Sequence, residues 1–141
     1  MAQNKLISTW LFLSLTCLIF LCSVGVKAQK GGDVQKLICQ KWYLEKYAEG
    51  DEEPVVAPDF FKDSYTQYFE DGSMTSLENG IKVQGKWTYN TETKQLIGTQ
   101  TENSDFPQEV AVEVVEVSAK QMIVKGTDAE GNTLTLYLYS K

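Results

Sequence analysis

The side chains that could do chemistry are few. The 141-residue chain contains no histidine. A serine would have no imidazole to take its proton, and a cysteine none to lower its pKa, so Ser-His-Asp and Cys-His sites are excluded. Zinc sites built on His or on several Cys are excluded with them. No glycine-rich phosphate cradle and no dinucleotide fingerprint occurs. Carboxylates remain. Glu113 and Glu116 are near enough in sequence to be considered as an acid–base pair for glycoside cleavage. Each reads more simply as the wet face of a strand. Asp51-Glu52-Glu53 offers oxygen ligands, but lacks the spaced Asp-x-Asp-x-Asp-Gly arrangement of a calcium loop. Cys39 has no sequence signal for thiolate activation and reads as a small buried hydrophobe. The expectation is a non-enzyme with no catalytic residues, no metal and no cofactor.

What the sequence does supply is a set of large apolar side chains. Trp42, Leu44, Phe69, Val83, Trp87, Tyr89, Leu136 and Leu138 fall on strand faces that could line one interior. Phe60 and Phe61 come from a long loop that either covers the mouth of that interior or plugs it. Small barrels can hold a ligand or fill with side chains, and the residue list is compatible with both.

The elements that position these residues have period two. In Ile81-Lys82-Val83-Gln84-Gly85-Lys86-Trp87-Thr88-Tyr89-Asn90 the odd positions are mostly apolar and the even ones polar. That is a strand with one dry face and one wet face. Further strands are expected at Trp42–Ala48, Tyr65–Glu70, Ser73–Glu78, Gln95–Thr101, Glu109–Ser118 and Gln121–Lys125, with Leu134, Leu136 and Leu138 inward on the last. The valine phase slips at Val114-Val115, which predicts a bulge. Asp71-Gly72 and Asn79-Gly80 read as tight turns that need positive φ. Asp33 caps one short helix through about Cys39. Glu49 to Asp63 is the long connection, with one helical turn expected after Pro58. Eight short strands in hairpin succession hide their edges by closing. The expected fold is an all-β, eight-stranded antiparallel up-and-down barrel with a short N-terminal helix; the alternative is a β-sandwich.

The first residues read as a targeting segment. A polar start with Lys5 is followed by an uncharged run from Leu6 to Val26 and then by Val26-Lys27-Ala28. Cleavage is expected after Ala28, leaving one domain at 29–141 and no stable membrane span. An uncleaved anchor is the weaker reading because Ser8, Thr9, Ser14 and Thr16 dilute the run. A lipid anchor on Cys22 is weaker too, since bulky Leu21 precedes it. All 19 acidic residues lie after Ala28, and there is no arginine. Loss of Lys5 and Lys27 would make the mature chain still more acidic than the full chain, whose formal net charge is −6. Phosphate backbones would repel it, so nucleic acid is not expected as a partner.

Lys41-Trp42-Tyr43-Leu44, Tyr68-Phe69-Glu70-Asp71-Gly72-Ser73-Met74 and Gly85-Lys86-Trp87-Thr88-Tyr89 behind a short helix resemble the lipocalin-like domains of exported Bacteroidetes-type proteins. Lys94-Gln95-Leu96-Ile97 and the valine-rich strand fit the same pattern. The resemblance implies an eight-stranded barrel in the periplasm or outside the cell. Two functions are expected from these readings. One is binding of a small hydrophobic molecule in the interior, through Trp42, Leu44, Phe60, Phe61, Phe69, Val83, Trp87, Tyr89 and Leu136. The other is a surface binding or inhibitory module for another envelope protein, built on a filled core.

Overall fold

The computed structural model of the protein describes residues 31–101 and 109–141. The expected leader, its cleavage site and the loop read over residues 102–107 lie outside the described residues. Helix α1 spans Gly31–Ile38, followed by β1 (Lys41–Glu49), β2 (Val55–Val56), one 3-10 turn at Asp59–Phe61, β3 (Tyr65–Tyr68) and β4 (Ser73–Glu78). The chain continues through β5 (Ile81–Asn90), β6 (Gln95–Gln100), β7 (Glu109–Val117), β8 (Gln121–Thr127) and β9 (Thr133–Tyr139). From β3 onward each strand pairs antiparallel with the next, and β9 pairs with β1. The sheet is therefore a closed barrel of eight strands, β1 and β3–β9, and not a sandwich. The short β2 is an extra strand.

Closure follows from how β1 is shared. One edge pairs with β9 from Tyr43↔Tyr139 to Glu49↔Leu134. The other edge pairs with β3 only over Lys41, Trp42 and Tyr43. Farther along, Lys46 and Tyr47 take Val56 and Val55 of β2 instead. The long connection thus straps the part of β1 that β3 is too short to reach. It also makes the turn expected after Pro58.

The inner face is where the alternation put it. In β5, Val83, Gly85 and Trp87 are buried while Lys82, Gln84, Lys86 and Thr88 are exposed. In β7 the register steps from Val114↔Val124 to Glu116↔Ile123. The extra residue, Val115, is exposed, and Val117 returns to the interior. The expected bulge is there. A second one in β1, between Leu44 and Lys46, coils that strand in the same way.

The turns divide. Asn79 and Gly80 both have positive φ, at 50° and 82°, as a two-residue primed turn requires. At Asp71-Gly72 only the glycine does, at 84°. There Gly72 N donates to the Phe69 carbonyl and Phe69 N to that of Ser73. The turn consumes Phe69 and Glu70, so β3 stops at Tyr68 where the sequence pattern extends it to Glu70. Asp71 Oδ1 accepts from Ser73 N at 2.9 Å and from Ser73 Oγ at 2.6 Å. These bonds to the ionised form hold its carboxyl below the usual carboxylate range.

One end of the barrel is shut by α1. Val34 and Ile38 are buried among Trp42, Met74, Trp87, Leu96, Val114, Val117 and Met122. The Trp42 indole Nε1 donates to the Ile38 carbonyl at 2.9 Å, tying the helix end to the first strand. Gln40 Nε2 reaches the Leu37 carbonyl at 2.9 Å and so satisfies another helix-end oxygen.

Candidate functional site

The core fills only the helix-capped part of the barrel. Above it lies an internal cavity of about 280 Å³. Its apolar wall includes Trp42, Leu44, Met74, Leu96, Val112, Met122, Val124, Leu136 and Leu138. These come from β1, β4, β6, β7, β8 and β9, all at inward positions. Phe61 and Val110 stand near its mouth, Phe61 from the strap after β2 and Val110 from the start of β7. Gly98 also lines the space. A Cβ there would sit 3.1 Å from Met74 Sδ, so the bare glycine lets the methionine lie across β6.

The polar groups are few and differ in what they have left to offer. Thr66 and Ser76 face each other across β3 and β4, and their hydroxyl oxygens are 3.0 Å apart, so one donates to the other. Glu78 is the single acid among the lining residues, and no lysine lines the cavity among the described residues. Gln100 Oε1 is buried and has no hydrogen-bond partner among the described residues. Tyr68 borders the cavity from β3, and burial pushes its phenol up to about 12. Its ring meets Trp87 edge-on at 5.4 Å between centroids.

The expected ligand residues fall into three places. Trp42, Leu44, Phe61 and Leu136 line the cavity. Val83 and Trp87 are buried, at 3% and 4% exposure, but in the packing around it rather than on its wall. Trp87 Nε1 donates to the Phe69 carbonyl at 2.8 Å, so this indole clamps β5 to the turn after β3. Tyr89 is partly buried against the same core. Phe69 and Phe60 are 38% and 63% exposed, and Phe60 packs on Phe61 at 4.3 Å between ring centroids. Met74, Leu96, Val112, Met122 and Val124 were not among the expected ligand residues, although strand alternation was there to place them. Glu78 and Gln100 carry no such signal, because a polar residue at an apolar phase near a strand end looks like fraying.

The groups considered for chemistry are apart from the cavity. Glu113 and Glu116 are exposed on the outer face of β7. Asp51, Glu52 and Glu53 are exposed in the strap, and no group of three potential metal ligands converges among the described residues. The Cys39 thiol is pushed up by burial and by the charge of Glu70, away from the reactive thiolate. No helix among the described residues is long and apolar enough to cross a membrane.

No protein-family model and no curated protein matches the sequence. Solved structures do match the fold. A lipocalin-like protein from Bacteroides uniformis ATCC 8492 superposes with a TM-score of 0.54 at 13% identity, covering 74% of this chain and 99% of that one. An uncharacterized protein from Bacteroides eggerthii DSM 20697 gives 0.51 at 13% identity, covering 72% and 98%. A DUF4847-family protein from Bacteroides vulgatus ATCC 8482 gives 0.53 at 7% identity, covering 73% and 95%. The chain accordingly has the lipocalin-like barrel fold of these Bacteroides proteins.

Proposed function

We propose that this is an exported, non-catalytic protein that binds a small, largely apolar molecule inside its barrel. The observation that carries the reading is the unfilled interior. A wall of Trp42, Leu44, Met74, Leu96, Met122, Leu136 and Leu138 encloses about 280 Å³. That is close to the lower end of the range for small-molecule sites, roughly 300–1,000 Å³. A space of this size bounded by aliphatic and aromatic groups offers burial to an apolar body and little to a polar one. The barrel fold supports the same reading. Export rests on the leader read in the sequence, and the absence of catalysis rests on the missing histidine and the outward placement of Glu113 and Glu116.

Titration of the mature protein with the neutral apolar probe N-phenylnaphthylamine tests the proposal. The probe's emission is expected to rise saturably while the tryptophan emission is quenched, because Trp42 lines the cavity. A Trp87→Phe variant leaves Trp42 as the reporter and is expected to retain the quenching. No saturable binding would refute an interior site. A partner captured from the envelope and lost on Phe60→Ser and Phe61→Ser substitution would then move the function to the outer surface, where Val55, Val56 and Phe60 are exposed.

A further inference from the structure

The polar inventory of the cavity is one-sided. Thr66 and Ser76 use their hydroxyls on each other. The hydroxyls of Ser64, Tyr65 and Tyr68, which also line the cavity, can donate as well as accept, so the imbalance is one of charge. Glu78 is an acid, and an ionised carboxylate only accepts hydrogen bonds. Gln100 has a buried amide oxygen that receives none among the described residues. An unpaired buried acceptor costs stability, so its retention beside an open cavity calls for an explanation. No lysine lines the cavity among the described residues, and the sequence has no arginine. Nothing in the wall can therefore neutralise an anionic head group.

Glu78 and Gln100 both lie toward the mouth, with Glu78 farther out, since Gln100 is in register with Gly85 and Met74, and Glu78 with Ile81. Glu78 is the last residue of β4, and Gln100 the last of β6. Both strands run from the helix-capped end toward the mouth. Both residues have the inward phase of the apolar groups before them, Met74 and Ser76 in β4 and Leu96 and Gly98 in β6. The cavity is thus apolar at its base and polar toward its opening, where Glu78 is the one charged lining residue among those described. Gln100 pairs across the sheet with Gly85. The β6 backbone at Thr99 and Gln100 lies close against that bare glycine.

We propose that the cavity is selective for amphiphiles whose head is a hydrogen-bond donor, above all a protonated primary amine, held by Glu78, with the Gln100 amide oxygen as a second acceptor farther in. The hydrocarbon body lies against Met74, Leu96, Met122 and Leu138. The inference rests on the interior-binding reading and adds the head-group chemistry to it. A carboxylate head can take a hydrogen bond from the Gln100 NH2 but is repelled by Glu78. An alcohol can donate once and gains no ion pair. The acidic composition of the chain attracts the same cations at long range.

Displacement of N-phenylnaphthylamine by octylamine, octanol and octanoate at neutral pH tests this with one chain length and three heads. Octylamine is expected to bind about tenfold more tightly than octanoate, a difference of about 1.4 kcal/mol, with octanol between them. Glu78→Gln is expected to weaken octylamine about tenfold and so abolish most of the amine preference. Gln100→Leu is expected to raise the Tm of the free protein by removing the orphaned oxygen, and to weaken octylamine. Octanoate binding as tightly as octylamine would overturn the head-group proposal and leave interior binding intact. The same holds for a preference that survives Glu78→Gln. Failure of the probe and all three ligands to bind would overturn both.

Discussion

Individual side chains with the same sequence signature have different duties here. Trp42 and Trp87 both stand at inward strand positions, and both indole N–H groups find a backbone carbonyl. Trp42 presents its ring to the cavity, whereas Trp87 is enclosed by Tyr68 and the turn at Phe69. Tyr68 shows what this packing does to a titratable group. Its phenol is held neutral until about 12, against an ordinary value of 10, because burial penalises the phenolate. The folded state therefore keeps its proton over a range in which the unfolded chain loses it. Stability is unaffected below pH 10 and falls as pH rises from about 10 through 12. A Tyr68→Phe variant is expected to lose less stability than the wild type over that interval in alkaline denaturation. A phenolate absorbance titration is expected to lose its latest-ionising component. An identical alkaline limb for the two proteins would show that Tyr68 is not shielded. Cys39 is shifted in the same direction for the same first reason, with Glu70 adding to it.

At the scale of elements, bulges and glycines shape the strands so that the inner face stays continuous. The bulges in β1 and β7 each insert one residue, which increases local coiling and resets the phase. Gly85 does the corresponding work in β5. A Cβ there would collide with the Thr99 carbonyl of β6, which is backbone and cannot swing away. Gly85→Ala is expected to destabilise the protein by about 1–3 kcal/mol, the usual range for overpacking a well-packed interior. Urea denaturation measures it, and a shift in midpoint too small to resolve would refute the close approach. The strand boundaries show what local pattern reading sees. The Ile81–Asn90 strand, the Asn79-Gly80 turn and the Val115 bulge were all legible, because alternation and turn chemistry are properties of neighbouring residues. The end of β3 was not. Whether Phe69 and Glu70 extend a strand or enter a turn is decided by the bonds among Phe69, Gly72 and Ser73, and by Trp87 N donating to the Gly72 carbonyl.

The whole molecule is a barrel with a packed lower part and an open upper part, and the two have opposite energetic roles. Burial around Ile38, Trp42, Leu96 and Met122, the most completely enclosed large side chains, supplies stability. The cavity withholds it, since wall atoms facing empty space lack packing partners. Filling the cavity is expected to strengthen the free protein and end binding. Leu136→Phe adds an aromatic ring to the wall opposite β4 and β6. It is expected to raise stability by about 1 kcal/mol, corresponding to roughly 4–8 °C in Tm for a domain near this size, and to abolish N-phenylnaphthylamine binding. A variant that binds the probe unchanged would place the site elsewhere.

Sequence alone determined the all-β class, most of the strands, one turn type and the inward side of the strands with clear alternation. Those follow from a two-residue period and from which residues tolerate positive φ. It also determined that imidazole chemistry is unavailable. Tertiary structure alone decided that β1 closes against β9, and which inward residues meet a void and which meet one another. The reason is that alternation fixes the face of a residue but not its height along the barrel axis. Height depends on the stagger of every pairing around the ring, including the two bulges and the strap at Val55–Val56, so Trp42 and Trp87 could be told apart only after closure.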